Sequence, residues 1–373
     1  MDSPSHPWPD GPVAPRYGSR SIADLMPALV TGYGPDWLPA DAVDGRPVVL
    51  LVLDGLGRLQ LDERLHLAPA MAAMGDGWLT SVAPTTTATA LTSITTGVPP
   101  GEHGIMGYRL RAGGDVLNAL RWQLDDSGDA RRALPAVELQ PVEPFLGSAP
   151  TVITKREFAT TGFTDAHLRG GDWSPWSVAS GIVDRAAAAV EAGARLVYAY
   201  YDGVDKVAHL DGLGRAFDLE VAAADQLVGA MSAALPEGTA LLVTADHGVL
   251  QVDRPELDVL GPLGSMIEGL SGEGRFRWLH ARSGRTSDLV DAATDRFGDV
   301  AWVRSVDQLV DDGWFGPVVS DAARRRLGDV ALLARDDVSF ADPADGGSFP
   351  LVGRHGSMTP AEAIVPLLFG LAG

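Results

Sequence analysis

The sequence predicts an α/β fold: a three-layer α/β/α sandwich with a mostly parallel central sheet and a small α/β cap insertion. Three observations carry this expectation. Continuous apolar runs, not alternating ones, stand at 47–53 (PVVLLVL), 196–201 (LVYAYY) and 240–245 (ALLVTA), as strands buried on both faces require. Helical stretches at 179–193 and 214–234 lie between or beside them, the alternation that builds parallel sheets. Each run also stops at an acidic residue: Asp54, Asp202 or Asp246.

The elements follow in chain order. Five prolines among the first 17 residues make 1–20 an extended arm. Ser21 and Asp24 cap a short helix. Residues 21–250 together with 351–373 form the core. Within it, 109–175 is irregular and rich in Gly, Pro and Trp, suited to walling a pocket. Residues 251–350 differ in texture: a strand (FRWLHAR), a helix (TSDLVDAATDRF), a strand (VAWVR), a polar Gly/Trp stretch and a strand (VALLA). This is the cap insertion.

Composition narrows the function. The 373 residues are 46% hydrophobic and 21% charged, an ordinary globular balance. No apolar run reaches membrane-spanning length and no basic-then-apolar leader opens the chain, so the expectation is a cytoplasmic protein. The absence of cysteine excludes disulfides, thiolate metal sites and Cys nucleophiles. A net charge of -20 repels polyphosphate backbones and argues against general nucleic-acid binding. Of 29 basic residues only Lys155 and Lys206 are lysines.

Ligands of open α/β sheets sit beyond the carboxyl ends of the strands. Asp54, Asp202 or Asp205, and Asp246 are therefore placed to share one edge. Asp205 and His209 stand four apart, on one face of a helical turn. Asp246 and His247 are adjacent in TADHG. His355 sits in GRHGSMTP, with Thr359, Pro360 and Glu362 marking a capped helix after it. Three Asp and three His suffice for two metal sites with three protein ligands each, and sulfur-free N/O ligands suit Zn, Mn or Fe. The stretch 83–97 (APTTTATALTSITTG) places hydroxyls at a helix start, where free N–H groups favour anions. Its helix carries Ala88, Leu91 and Ile94 on one side. His6, His66, His103, His167 and His280 lack an acidic partner at metal-ligand spacing. Tyr108, Trp122, Tyr200 and Tyr201 are candidates to stack a base, with core packing the plainer role for Tyr200.

The segments VLDGLG, PTTTATALTSITTGVPPGEHGI, DGVDKVAH, TADHG and RHGSMTPAEAIVPL occur in the order found in the alkaline phosphatase superfamily. The chain resembles its nucleotide pyrophosphatase/phosphodiesterase-like branch from about residue 46 to 370. The resemblance implies a metal-dependent hydrolase of phosphate esters, phosphodiesters or nucleotide pyrophosphates first, acting through a phosphothreonine intermediate. Counting ten residues back from Gly97 puts the family's nucleophile at Thr87. It implies that Asp205, His209 and His355 hold one divalent ion, and that Asp54, Asp246 and His247 hold the other with Thr87. Zn is the first expectation, Mn or Fe the alternatives.

One departure stands out: where the branch often has an Asn three residues after the nucleophile, this chain has Ala90. The stabilising donor would then come from elsewhere: the backbone N–H of Ala88, Thr89, or an Arg of the insertions. Lys206, within the Asp–His motif, is a separate candidate to contact the phosphate, with a solvated lysine its plainer role. The implied partner is a small-molecule phosphate ester or nucleotide, with no membrane. Phosphomonoesterase and phosphonate hydrolase are the alternatives on the same core. A metal-stabilised protein that binds phospho-ligands without turnover is the non-enzymatic one.

Overall fold

Val48–Leu53 (β1) is apolar and buried at all six positions. A strand that hides both faces belongs in the middle of a sheet, and β1 lies there in the computed structural model, which describes residue 8 and residues 11–125, 128–345 and 351–373. In chain order the main elements are α1 (Leu25–Thr31), β1, β2 (Gly77–Thr80), α2 (Thr87–Thr96), β3 (Thr151–Ile153), α3 (Gly162–Leu168), β4 (Asp172–Trp173), α4 (Ser180–Glu191), β5 (Leu196–Tyr201), α5 (Gly203–Asp211), α6 (Arg215–Ala234) and β6 (Ala240–Thr244). These are followed by β7 (Ile267–Glu273), β8 (Phe276–Ala281), α7 (Thr286–Phe297), β9 (Ala301–Ser305), β10 (Val330–Ala334) and β11 (Ile364–Leu371).

The central sheet has the order β2-β11-β6-β1-β5-β3-β4. β1 pairs in parallel with β5 and β6, Leu50 lying opposite Tyr198 on one side and Leu242 on the other. Only β11 runs against its neighbours. Helices pack in two sets: α6 with α4 and α5, and α2 with α1 and α3. α6 buries Phe217, Val221, Ala224, Leu227, Val228 and Met231, the three-and-four spacing of one helical face. Burying each large apolar side chain is worth about 1.5–3 kcal/mol, so the sheet and its helices form a rigid base.

Four of the seven central strands, β2, β3, β4 and β11, go beyond the three apolar runs. The first three are short. β11 contains Pro366, which argues against a strand on sequence alone. Here Pro366 lies between β6 and β2, opposite Trp78, and its carbonyl accepts from the Thr244 hydroxyl at 2.7 Å.

A second, antiparallel sheet has the order β7-β8-β10-β9. Its strands alternate. Leu279, Val330 and Leu332 pack with Leu289, Ala293 and Phe297 of α7. Phe276, Trp278, Ala331 and Leu333 pack instead with Phe315, Met358 and Ile364, so the other face lies on the core. The period of two along each strand gives both contacts at once. The segment before α1 also lies on the core: the Val13 amide donates to the Met358 carbonyl at 2.8 Å and the Arg16 amide to Thr80 Oγ1 at 2.8 Å. Among the described residues no helix is long and apolar enough to cross a membrane.

Candidate metal centre

The carboxyl ends of β1, β5 and β6 converge, and the residues that follow them meet there. Asp54 follows β1 directly. Its amide donates to the Tyr201 carbonyl at 2.9 Å and its carbonyl accepts from the Asp205 amide at 3.0 Å, which locks the β1 end to the start of α5. Gly55 makes this approach feasible. It has φ +75°, and a Cβ there would lie 2.7 Å from Asp205 Cβ. Asp205 and His209 face one way from α5, His209 Nε2 lying 3.1 Å from Asp205 Oδ2. Asp202 turns instead to Lys155 and Lys206, so Asp205 is the residue of this pair that joins the cluster. Asp246 and His247 follow β6. His247 Nε2 is 3.4 Å from both Asp54 Oδ1 and Asp246 Oδ2. His355 arrives from the far end of the chain, its Nε2 3.9 Å from Asp205 Oδ1 and its ring stacked on His247 with centroids 3.6 Å apart.

The three imidazoles are held alike. Nδ1 of His209 lies 2.7 Å from the Gly353 carbonyl, Nδ1 of His355 2.8 Å from the Thr85 carbonyl, and Nδ1 of His247 3.1 Å from the Gly248 carbonyl. A carbonyl only accepts, so each Nδ1 carries a proton and each Nε2 is turned to the carboxylates. This anchoring of the second nitrogen is how metal-ligating histidines are oriented. Burial opposes the charged form of His209, but Asp205 and the Gly353 carbonyl raise it to about 9, so without a cation its Nε2 carries a proton as well.

The carboxylates are left wanting a cation. Asp54 Oδ1, Asp205 Oδ1 and Asp246 Oδ2 are buried without any hydrogen-bond partner. Their other oxygens are engaged: the Tyr200 hydroxyl donates to Asp54 Oδ2, and the amides of Gly55 and His247 donate to Asp246 Oδ1 at 3.2 and 3.0 Å. An isolated buried carboxylate is costly. Burial, then the charges of Asp246 and Asp205, push the Asp54 carboxyl well above its usual range. Burial and Asp205 push Asp246 up to about 7. Burial works against an ionised Asp205 as well, but His209 outweighs it and holds that carboxyl below its usual range.

Divalent cations relieve this kind of crowding. Ligand atoms of Asp205, His209 and His355 lie within 4.8 Å of one another, as do those of Asp54, Asp205 and His247. Asp205 belongs to both groups. The donor set, the orphaned oxygens and the imidazole orientation fit two divalent ions.

Thr87 is the first residue of α2, with Thr86 as its cap. Its hydroxyl lies 3.1 Å from His247 Nε2. The first bond of the helix is Ala90 N–H to the Thr86 carbonyl, so the Ala88 amide belongs to the open first turn. Thr85 ties this loop to His355: its amide donates to the Gly356 carbonyl at 3.1 Å and its hydroxyl to the Ser357 carbonyl at 2.7 Å. All ten residues of α2 are buried, not one side only. The helix tolerates this because the hydroxyls of Thr92, Thr95 and Thr96 donate back to carbonyls one turn earlier.

A cavity of about 950 Å³ opens over the cluster, lined by Thr86, Thr87, Asp205, His209 and His355 and walled by Tyr108, Arg109, Asn118, Glu273 and Arg354. Of the four aromatic candidates only Tyr108 faces it. Trp122 is buried, Tyr201 donates to Glu220 at 2.6 Å, and Tyr200 serves Asp54. Lys206 is 59% exposed beside Asp202 and is not part of the wall. His103 and His280 are buried against Ser93 and Ser271, and His167 against the Phe163 carbonyl; His6 lies outside the described residues. The helix expected to be capped after His355 is a single turn, Pro360–Ala363, without a side-chain cap: the Thr359 hydroxyl donates to Glu362 at 2.6 Å instead, and the chain passes directly into β11 at Ile364. Sequence reading offered Tyr200 as a base-stacking or core residue, not as the partner of Asp54, and it missed Glu273 in the cavity wall. For Tyr200 a signal existed: it sits opposite Val52 in the β1–β5 register, at the strand end beside Asp54.

Residues 48–358 match the family of type I phosphodiesterases and nucleotide pyrophosphatases. No curated protein matches the chain by sequence. Among solved structures, an inactive variant of murine ectonucleotide pyrophosphatase/phosphodiesterase 5 in complex with AMP is similar at 14% identity and TM-score 0.63, covering 86% of this chain and 87% of that one. The human counterpart is similar at 14% identity and TM-score 0.63, covering 87% of each chain. Phosphonoacetate hydrolase from Sinorhizobium meliloti 1021 with phosphonoformate gives 16% identity and TM-score 0.63, covering 87% of this chain and 90% of that one. At such identities the likeness is one of fold.

Proposed function

The chain belongs to the type I phosphodiesterase/nucleotide pyrophosphatase family, a metal-dependent phosphate-ester hydrolase branch of the alkaline phosphatase superfamily, and from this premise we propose that Thr87 is its nucleophile. The observation that carries the proposal is the placement of the Thr87 hydroxyl 3.1 Å from His247 Nε2, at a helix start and next to carboxylate oxygens with no partner. Asp205, His209 and His355 would hold one ion; Asp54, Asp246 and His247, with Thr87, would hold the other. Two bound divalent ions supply positive charge for an anionic phosphate and lower the pKa of an alcohol or water. Mixed N/O donors favour zinc, with manganese or iron as alternatives.

In this scheme Thr87 Oγ1 attacks phosphorus in line. The bond to the leaving alkoxide breaks as the phosphothreonine forms, and water attacks from the vacated side to release the product and restore the hydroxyl. The open first turn of α2, with the Ala88 amide, takes a non-bridging oxygen. Lys206, turned to Asp202, stays outside the scheme. Residues 251–350 act as a cap that completes the cavity.

A phosphodiester is the favoured substrate, with a nucleotide pyrophosphate next. Among the described wall residues, every arginine already has a carboxylate: Arg109 with Asp125, Arg254 with Asp337, Arg275 with Glu362 and Arg354 with Glu256. That leaves no unpaired guanidinium for the carboxylate of a phosphonoacetate-like substrate. The AMP complex of the murine protein fits a nucleotide on the same fold.

Turnover of bis-p-nitrophenyl phosphate against p-nitrophenyl phosphate tests the preference. Thr87→Ala tests the chemistry: turnover is expected to fall by about a thousandfold or more, with metal content largely kept by the three Asp/His ligands of each ion and the acid-trapped phosphothreonine gone. Wild-type rates in that variant would remove Thr87 as nucleophile.

A further inference from the structure

Tyr108 and Asn118 stand at the open end of an antiparallel hairpin, Arg109–Ala112 paired with Asp115–Asn118. Both line the cavity that Thr86 and Thr87 line. The chain enters this hairpin alongside the nucleophile loop: a Cβ on Gly107 would lie 3.9 Å from Cγ of Pro84, the residue before Thr85. The backbone of Tyr108 is then fixed from the other strand, its carbonyl accepting from the Ala119 amide at 2.8 Å.

The side chains are set by a short relay. Asn118 is 8% exposed, and its Oδ1 accepts from the Arg121 amide at 3.0 Å. That assigns the two ends of the amide and leaves Nδ2 facing the Tyr108 hydroxyl, 2.6 Å away. An amide NH2 only donates, so Tyr108 Oη accepts in this bond and keeps its own proton. Among the described residues no acceptor takes that proton. The stacking role expected of Tyr108 would use its ring alone and would have no need of Asn118.

The charged donors of the wall are committed. Arg109, Arg254, Arg275 and Arg354 each hold a carboxylate. The Tyr108 hydroxyl differs from them in being held from behind and open in front. A donor fixed in advance stabilises an anionic oxygen without rearranging to meet it. We propose that Tyr108, aimed by Asn118, binds substrate: its hydroxyl joins the Ala88 amide in donating to a non-bridging phosphoryl oxygen, a contact that Ala90 cannot supply. Asn118 is the positioning residue, acting through Tyr108. The proposal rests on the hydrolase reading above.

The test uses the full chain, metal-replete, with bis-p-nitrophenyl phosphate as substrate and inorganic phosphate as the probe in calorimetry. Tyr108→Phe deletes one oxygen and keeps the ring. It is expected to lower kcat/KM and phosphate affinity about tenfold each, the scale of one hydrogen bond to a charged group, with metal content and melting temperature unchanged. Asn118→Asp keeps the acceptor for the Arg121 amide but replaces the donor with a second acceptor, which draws the Tyr108 proton away from substrate. It is expected to lose as much as Tyr108→Phe, and to add little in the Tyr108→Phe background. Wild-type kcat/KM and phosphate affinity in Tyr108→Phe would overturn the proposal. Equal losses from Asn118→Asp with and without the Tyr108 hydroxyl would overturn it too, since the added charge would then act on substrate directly. If Asn118→Asp does not fold, Tyr108→Phe decides alone. Failure of the wild type to hydrolyse any phosphate ester would instead sink the hydrolase reading, and the phosphate affinities would still decide the Tyr108 contact.

Discussion

The two sheets handle buried charge in opposite ways. At the carboxyl edge of the central sheet, Asp54, Asp205 and Asp246 are buried together with one oxygen each unpartnered. Where the accessory sheet meets the core, Arg275 and Glu362 are both fully buried and satisfy each other in two parallel hydrogen bonds, at 2.7 and 2.9 Å. The remaining Arg275 nitrogen donates to the carbonyls of Asp336 and Val338. Both arrangements bury ions, but only one is complete within the protein. The incomplete one is the proposed site, because a cation from outside would relieve such an unbalanced cluster. The complete one is a fastener that carries the hairpin of Glu273 to the loop of His355.

The largest expected effect breaks the incomplete side. Chelation should abolish turnover and lower the melting temperature, since each of two ions that bind only the folded chain stabilises it by about 2.7 kcal/mol at a hundredfold excess over Kd. In chelated protein, Asp246→Asn should raise the melting temperature by removing one of three crowded carboxylates, while cancelling the rise that metal gives the wild type. Calorimetry with and without zinc measures both. A lower melting temperature for metal-free Asp246→Asn would contradict the crowding argument.

A smaller effect is expected on the complete side. Arg275→Ala leaves Glu362 buried and unpaired, which costs about 3–5 kcal/mol. Denaturant unfolding measures it, and removing both partners together should cost less than the sum of the single changes. Additive losses would mean that the pair does not couple the sheet to the core.

The smallest expected effect concerns a histidine outside the centre. Burial, with Arg326 nearby, pushes His103 down to about 3, and its Nδ1 accepts from the Ile105 amide at 3.1 Å. The unfolded chain therefore takes up a proton at His103 that the native chain refuses. The stability held above about pH 6.5 should be lost progressively as pH falls towards 3. His103→Asn should flatten that part of the curve in pH-dependent unfolding, and an unchanged slope would contradict the assignment.

Much of the site was legible because its chemistry is punctuated along the chain. Asp54, Asp205, His209, Asp246, His247 and His355 stand at strand ends or at helical spacing, where the pattern itself limits their direction. The doubly buried strands announced themselves by unbroken apolar runs. What stayed hidden depends on contacts between distant segments. Pro366 masked β11, because a missing N–H matters only relative to its partners. Ala88, Leu91 and Ile94 marked only one side of α2 as apolar, yet the hydroxyls of Thr92, Thr95 and Thr96 turn back to their own backbone and let every face be buried. Glu273, just before the strand read at FRWLHAR, carried no signal of its own; only the hairpin brings it to Gly356. Tyr200 looked like core until its hydroxyl met Asp54.

The central claim is that two cations complete the unpaired cluster. Metal analysis of the purified chain after zinc loading, combined with anomalous diffraction at the zinc edge, tests it most directly. Two ions per chain are expected, one beside Asp205, His209 and His355 and one beside Asp54, Asp246 and His247, with Asp205→Ala or His247→Ala lowering the count. A chain that holds no ion at those positions, or that binds its ions elsewhere, would contradict the account.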